Sequence, residues 1–250
     1  MSETPTSGKP SAGRVAGAWA KEIAIVVVGA LIASTLLRLF VAQMFVIPSG
    51  SMENTLQIRD RVMVQKVAGW SRGDIVVFRD TQGWLADPAE ETDPVRKALI
   101  FIGLAPDESS NHLIKRVIGL PGDHVKCCDA QGRITVNGQP LDESGYLFSE
   151  NGETVAPSDF PFDVIVPKDR IWVMGDHRNN SQDSRCHLSE GTGGIAAFVP
   201  TANVVGSAVA VVYPFDRWRT LPRPSTFDQV PAASGPAPDT PVITGPIPNC

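Results

Sequence analysis

The 250-residue sequence has no CxxC pair, no GxSxG elbow, no internal repeat and no excess of positive charge. Each absence removes a class of answers. The four cysteines, Cys127, Cys128, Cys186 and Cys250, lack the spacing of a zinc ribbon or a thioredoxin-like redox site. A formal net charge of −5 offers no basic surface to nucleic acid. Without a GxSxG elbow, the α/β-hydrolase arrangement of serine and histidine has no starting point. No metal and no cofactor are expected.

What is present begins with an apolar run. Residues 1–22 are small and polar, with Lys9, Arg14 and Lys21. From Ile23 to Leu37 the chain reads IAIVVVGALIASTLL, without a charge; Arg38 interrupts, and LFVAQMFVI continues to Ile47. The clean stretch is shorter than the roughly 20 residues a spanning helix needs. Trp19, Ala20 and the stretch past Arg38 make up the length, with Arg38 snorkelling to an interface. A soluble core helix would show a polar face, and this run has none. A cleaved signal peptide would be followed by a small-x-small site, and Val41-Ala42-Gln43-Met44-Phe45 offers none. The expectation is an uncleaved transmembrane signal anchor over residues 23–41, with membrane lipid as its partner. Lys and Arg lie on both sides of it, so charge alone leaves the orientation open.

The remainder holds most of the 21 prolines and 22 glycines, which favours turns and short strands. Strand patterns run over Arg61–Val67, Asp74–Arg79, His112–Gly119, Arg133–Leu141 with its Asn137-Gly138 hairpin signal, Asp163–Pro167, Arg170–Met174 and Val204–Tyr213. The expected fold is an all-β, mostly antiparallel domain over residues 42–221, carried by one N-terminal transmembrane helix. Residues 80–111 form an insertion whose apolar part, Ala98–Leu104, is read as a helix covering the core or a patch on the membrane, the former preferred. Residues 222–250 are Pro-rich with few apolar anchors and are expected to be a disordered tail.

Three segments carry chemistry. Ile47-Pro48-Ser49-Gly50-Ser51-Met52 places a serine in a tight turn that can expose a hydroxyl and present backbone N–H groups. His112–Asp123 (HLIKRVIGLPGD) puts Lys115 on the strand face of Leu113 and Val117, with Arg116 on the other. Burial there favours a neutral amine, able to act as a general base; a snorkelling edge lysine is the plainer alternative. Val173–Arg185 (VMGDHRNNSQDSR) gathers acids, arginines, asparagines and serines after a strand, as an ordered network or a solvated turn.

With the preceding anchor, the order PSGSM, KRVIGLPGD and GDxRxNSxDSR resembles the bacterial type I signal peptidases, over residues 20 to 220. The resemblance implies an endopeptidase that removes signal peptides from exported preproteins after small-x-small sites. It implies Ser51 as nucleophile and Lys115 as general base. Ser49 would help bind the oxyanion beside the Ser51 N–H, and Ser181 would orient the lysine amine. Asp183 with Arg185, and Asp176 with Arg116, would form supporting ion pairs. Ile47, Pro48, Met52, Leu56 and Ile114 would line shallow apolar pockets. It also implies residues 1–22 in the cytoplasm and the catalytic domain outside the cell membrane. There a disulfide from Cys186 to Cys127 or Cys128 is expected, since sequence neighbours pair only under strain; free thiols are the alternative. His177 departs from the asparagine of many relatives. The rivals are a membrane-anchored Ser-His-Asp hydrolase using His177, a self-cleaving Ser/Lys repressor lacking here its DNA-binding helices, and a non-catalytic envelope binding domain.

Overall fold

In the computed structural model, residues 12–86, 92–95, 97, 111–188 and 192–247 are described. The apolar run folds as helix α1 (Ala12–Phe40), in which Trp19–Leu37 is long and apolar enough to cross a membrane and none of it is buried in the protein. The helix closes with Val41 N–H donating to Leu37 O at 2.8 Å. The chain then passes straight into strand β1 (Ala42–Val46). The helix continues two residues past Arg38, and the rest of the stretch that the sequence reading added to the span, from Ala42, is strand. Its side chains follow a period of two, with Phe45 turned to the core and Met44 and Val46 outward. The backbone pairs with β2 (Arg61–Gln65), from Ala42 opposite Gln65 to Val46 opposite Arg61.

The other strands are β3 (Ile75–Arg79), β4 (His112–Gly119), β5 (His124–Cys127), β6 (Ile134–Val136), β7 (Gln139–Pro140), β8 (Ser149–Glu150) and β9 (Glu153–Thr154). They continue with β10 (Phe162–Ile165), β11 (Arg170–Met174), β12 (Val199–Pro200), β13 (Val204–Tyr213), β14 (Arg219–Thr220) and β15 (Val242–Ile243). Every pairing among them is antiparallel. One sheet runs β1-β2-β13-β3-β4-β11-β12, with β14 beside β13; a second runs β15-β10-β5-β6-β7; β8 and β9 form a small ribbon. The all-β, antiparallel expectation holds. The Asn137-Gly138 signal works as read: both residues have positive φ, 53° and 81°, and join β6 to β7. The Lys168-Asp169 turn joins strands of different sheets, because β10 pairs with β5 while β11 pairs with β4.

Between the sheets lies a core built on Trp172, which is fully buried with Phe162 and Phe198 rings 5.2 Å from it on either side. The Pro-rich segment is corrected from disordered tail to strap over its described part. Phe227 and Val230 enter this core, β15 pairs with β10, and Lys168 N–H donates to Pro238 O at 2.8 Å. Two large apolar anchors and an open sheet edge suffice to hold a segment that composition alone reads as loose. The cysteines also differ from expectation. Cys127 is bonded to Cys128 at the end of β5, so neither joins Cys186. Cys186 lies in the next short helical turn beyond Ser181, its sulfur 3.9 Å from Ser181 O, and is itself disulfide-bonded. The apolar stretch Ala98–Leu104 lies outside the described residues.

Candidate active site

Ser51 sits in a one-turn 3-10 helix, Gly50–Met52, that follows β1. Ser49 before it is extended, exposed, and makes no side-chain capping bond, so its hydroxyl is not spent on the turn. Glu53 N–H closes the turn on Gly50 O at 3.1 Å, and Leu56 N–H on Met52 O at 2.7 Å. Met52 and Leu56 are fully buried below it, fastening the turn to the core of Val62, Val64, Ile75 and Val211. From the opposite side, His177 N–H donates to Ser51 O at 3.1 Å. Glycine at 175 permits that approach: a Cβ there would stand 2.5 Å from Ser51 O and 2.7 Å from Ser181 Cβ.

Lys115 reaches the same point from β4, a central strand between β3 and β11, which rules out an edge lysine. Its Nζ lies 2.7 Å from Ser51 Oγ and donates to Ile114 O at 3.2 Å. Lys115 is 2% exposed and Ser51 7%. Removal from water lowers the lysine pKa from 10.5 to about 8, against the pull of Asp183 and Asp176, which favour the ammonium.

Those two carboxylates are engaged elsewhere. Asp176 takes a two-pronged contact from Arg116, at 2.8 and 2.6 Å, and the Thr55 hydroxyl at 2.5 Å. Asp183 takes Arg185 Nε at 2.8 Å and Nη2 at 2.9 Å, and Gly175 N–H and the Ser181 hydroxyl also donate to it, at 2.9 and 2.8 Å. Burial raises the Asp183 pKa, but Arg185 and these donors outweigh it and hold the carboxyl below its ordinary value. For Arg116, burial acts downward, but the charge and hydrogen bonds of Asp176 together with Tyr146 leave the guanidinium's pKa above its ordinary value. All four groups are almost wholly buried. Buried charges so paired form a frame, since removing either partner leaves a stranded charge.

The sequence-read residues converge. Ser51, Lys115, Ser181, Asp183, Arg185, Asp176 and Arg116 occupy one buried neighbourhood. The hydroxyl of Ser181 goes to Asp183 and not to the lysine amine. Ile47, Met52, Leu56 and Ile114 are core residues below the turn, while Pro48 is exposed beside it. The cavity that opens on Ser51 and Lys115, of about 200 Å³, has other walls. Ser49, Gly50, Trp84, Leu85, Leu113, Asn180 and Gln182 line it together with the two of them. Leu113 was within reach of sequence reasoning, being two residues from Lys115 on its strand face. Trp84 and Leu85 were not, because they enter from the insertion.

Two further arrangements were not foreseen. Arg178 Nη2 contacts Glu143 at 2.5 Å, and the Tyr146 hydroxyl donates to the same carboxylate at 2.6 Å. The Arg116 guanidinium lies 4.3 Å above the Tyr146 ring, linking this cluster to the Asp176 pair. His177 stacks on Phe148 at 3.7 Å and turns Nδ1 toward Gly50 O and Glu53, at 3.2 and 3.1 Å. It therefore braces the turn, and Lys115 is the side chain that faces the Ser51 hydroxyl.

Comparison with known proteins gives a consistent result. The sequence profile of the family described as "Signal peptidase, peptidase S26" matches residues 19–213. Signal peptidase I of Mycobacterium tuberculosis is 37% identical over 222 residues, which cover 79% of this chain and 74% of that protein. Signal peptidase I of Leptolyngbya laminosa is 34% identical, covering 76% and 78%. Signal peptidase I S of Bacillus subtilis is 33% identical, covering 80% and 91%.

Proposed function

Because the chain belongs to the signal peptidase family, peptidase S26, and is a type I signal peptidase, we propose that it cuts preproteins with Ser51 as nucleophile and Lys115 as general base. The observation that carries this reading is the 2.7 Å approach of a buried lysine amine to a buried serine hydroxyl, with both nearby carboxylates occupied by arginines. The Ser51 hydroxyl proton passes to neutral Lys115 as Oγ bonds to the carbonyl carbon ahead of the scissile bond. The oxyanion accepts from the Ser51 N–H and the Ser49 hydroxyl. As the C–N bond breaks, Lys115 returns the proton to the leaving amine. Water then attacks the acyl-enzyme, giving a proton to Lys115 that goes back to Ser51 as the new carboxyl leaves.

Ser181 supports this chemistry from behind, fixing Asp183 and so the loop against which the dyad rests. The substrate is a signal-peptide-bearing preprotein lying as an added strand, cut after small residues at −1 and −3. The enzyme is membrane-anchored through α1, with residues 1–20 in the cytoplasm and the β domain outside, where cleavage sites emerge. Cleavage of a synthetic Ala-x-Ala signal peptide by the detergent-solubilised full chain tests the mechanism. Ser51→Ala, Lys115→Ala and Lys115→Arg are each expected to abolish it with folding retained, a guanidinium being unable to deprotonate. Substantial activity in Lys115→Arg would overturn it.

A further inference from the structure

Glu143, which follows β7, is a buried acid for which the proposed chemistry has no use; it is 4% exposed. It accepts from Arg178 Nη2 at 2.5 Å and Nη1 at 3.3 Å, and from the Tyr146 hydroxyl at 2.6 Å. The same guanidinium spends its Nε on Gly175 O at 2.9 Å, and Nη1 also reaches Pro157 O at 2.6 Å. Gly175 is thereby held through both of its backbone groups, since its N–H donates to Asp183 at 2.9 Å. The next two residues are held as well. Asp176 O accepts from Phe148 N–H at 3.1 Å, and His177 N–H donates to Ser51 O at 3.1 Å. Ser51 O rests against this short segment at the point where Gly175 has no Cβ.

These contacts form one continuous path from Glu143 to the dyad. Lys115 is placed by its strand, β4. The Ser51 turn is fastened to the core by Met52 and Leu56 and backed by Gly175, Asp176 and His177, so the 2.7 Å between Nζ and Oγ depends on where that backing sits. Among the described residues, Glu143 is the one carboxylate that Arg178 contacts. Without its charge a fully buried guanidinium would lack a counter-ion. Asp176, another acid whose charge Arg178 feels, would then draw it away from Gly175 O and set it in competition with Arg116. Tyr146 extends the hold of Glu143 to Arg116, whose guanidinium lies 4.3 Å above its ring. We infer that Glu143 is a positioning residue for the proposed dyad, on which this inference rests: through Arg178 it fixes the Gly175 carbonyl, and with it the seat of the Ser51 turn.

The test measures kcat and KM of the full chain in detergent on an Ala-x-Ala peptide, with the thermal melting of each variant alongside. Glu143→Gln keeps the shape of the side chain and removes its charge. It is expected to lower kcat at least about tenfold, within the loss that a misplacement on the order of 1 Å produces. KM should stay within about twofold, because neither Glu143 nor Arg178 lines the cavity on Ser51 and Lys115. Glu143→Asp, which keeps the charge, should recover part of the lost kcat. Arg178→Lys separates positioning from stability. Its ammonium can still pair with Glu143, but it lacks the fork that holds Gly175 O at the same time. It should lose kcat as Glu143→Gln does while melting closer to the parent, and it reads the same path if Glu143→Gln does not fold. The parent's kcat in folded Glu143→Gln or Arg178→Lys would overturn the inference, and so would a loss carried by KM. Failure of the dyad is read separately, as cleavage surviving in Ser51→Ala or Lys115→Ala.

Discussion

The hydroxyl of Ser181 donates to Asp183 Oδ2 at 2.8 Å, two residues along the same loop, and Arg185 donates to both oxygens of that carboxylate, at 2.8 and 2.9 Å. The charge nearest in influence to Lys115 is therefore balanced without touching it. The amine's proton affinity is set by burial, with Asp183 and Asp176 acting at a distance in the opposite sense.

The pH dependence of cleavage follows from that balance. The base is useful only when neutral, so kcat/KM should rise with pH through an ionisation near 8, well below that of free lysine. A profile on Ala-x-Ala peptide checks this. A limb near pH 6.5, which histidine would give, or near 10.5 would contradict it.

Asp183→Asn should move that limb toward lower pH. Removing the carboxylate takes away a pull on the ammonium and leaves Arg185 as an added repulsion. The same change strands Arg185, which is 1% exposed, so stability should fall by about 3 kcal/mol. Thermal melting and the pH profile measure the two effects independently. A limb displaced to higher pH would contradict the argument.

Lys115→Met should be inactive yet more stable at neutral pH. The folded-state pKa of about 8 lies below the unfolded value of 10.5, so the unfolded chain binds more protons between these values. Stability therefore rises with pH across that window, and the full penalty of the buried ammonium is present below pH 8. Its size is about 3 kcal/mol from the difference in pKa. The two hydrogen bonds of the amine offset about 1 kcal/mol of this. A melting advantage for Lys115→Met at pH 7 that shrinks toward pH 10 is the expected outcome. A lower melting point at pH 7 would refute it.

His177→Gln should lower activity by less than about tenfold and leave the pH profile in place. The ring supports the Ser51 turn through Phe148, Gly50 and Glu53, while the backbone N–H that holds Ser51 O survives the change. Loss of all cleavage in a folded His177→Gln protein would reopen a histidine mechanism.

How far the sequence carried differs from element to element. Lys115 and Ser51 stood out in the sequence as a charge on an apolar strand face and a serine in a Gly turn after an anchor, but each had a plainer reading, and only the resemblance to type I signal peptidases gave them roles. The strands over His112–Gly119 and Val204–Tyr213 were read to the residue, being long and bounded by turn formers. β1 was hidden because its apolar side chains suit a membrane as well as a sheet. The strap was hidden for the opposite reason: two anchors, Phe227 and Val230, are lost in a Pro-rich average. The hydrogen bond of Ser181 was beyond reach, since the choice between a carboxylate and an amine depends on angles that no spacing encodes. Leu85 was beyond reach because local pattern does not say where an insertion returns.

The joint between α1 and β1 has a mechanical meaning. A single residue, Val41, separates helix from strand, and β1 is hydrogen-bonded along its whole length. Five strand residues span about 16 Å, so the serine is held at a nearly constant standoff from the end of the helix. A flexible tether would let the domain sample many heights; with α1 in the membrane as proposed, this joint would make the anchor a depth gauge. The enzyme would then measure where a peptide bond lies along the bilayer normal as well as which residues flank it. Inserting a few glycines at Val41 would relax the gauge and leave the chemistry alone.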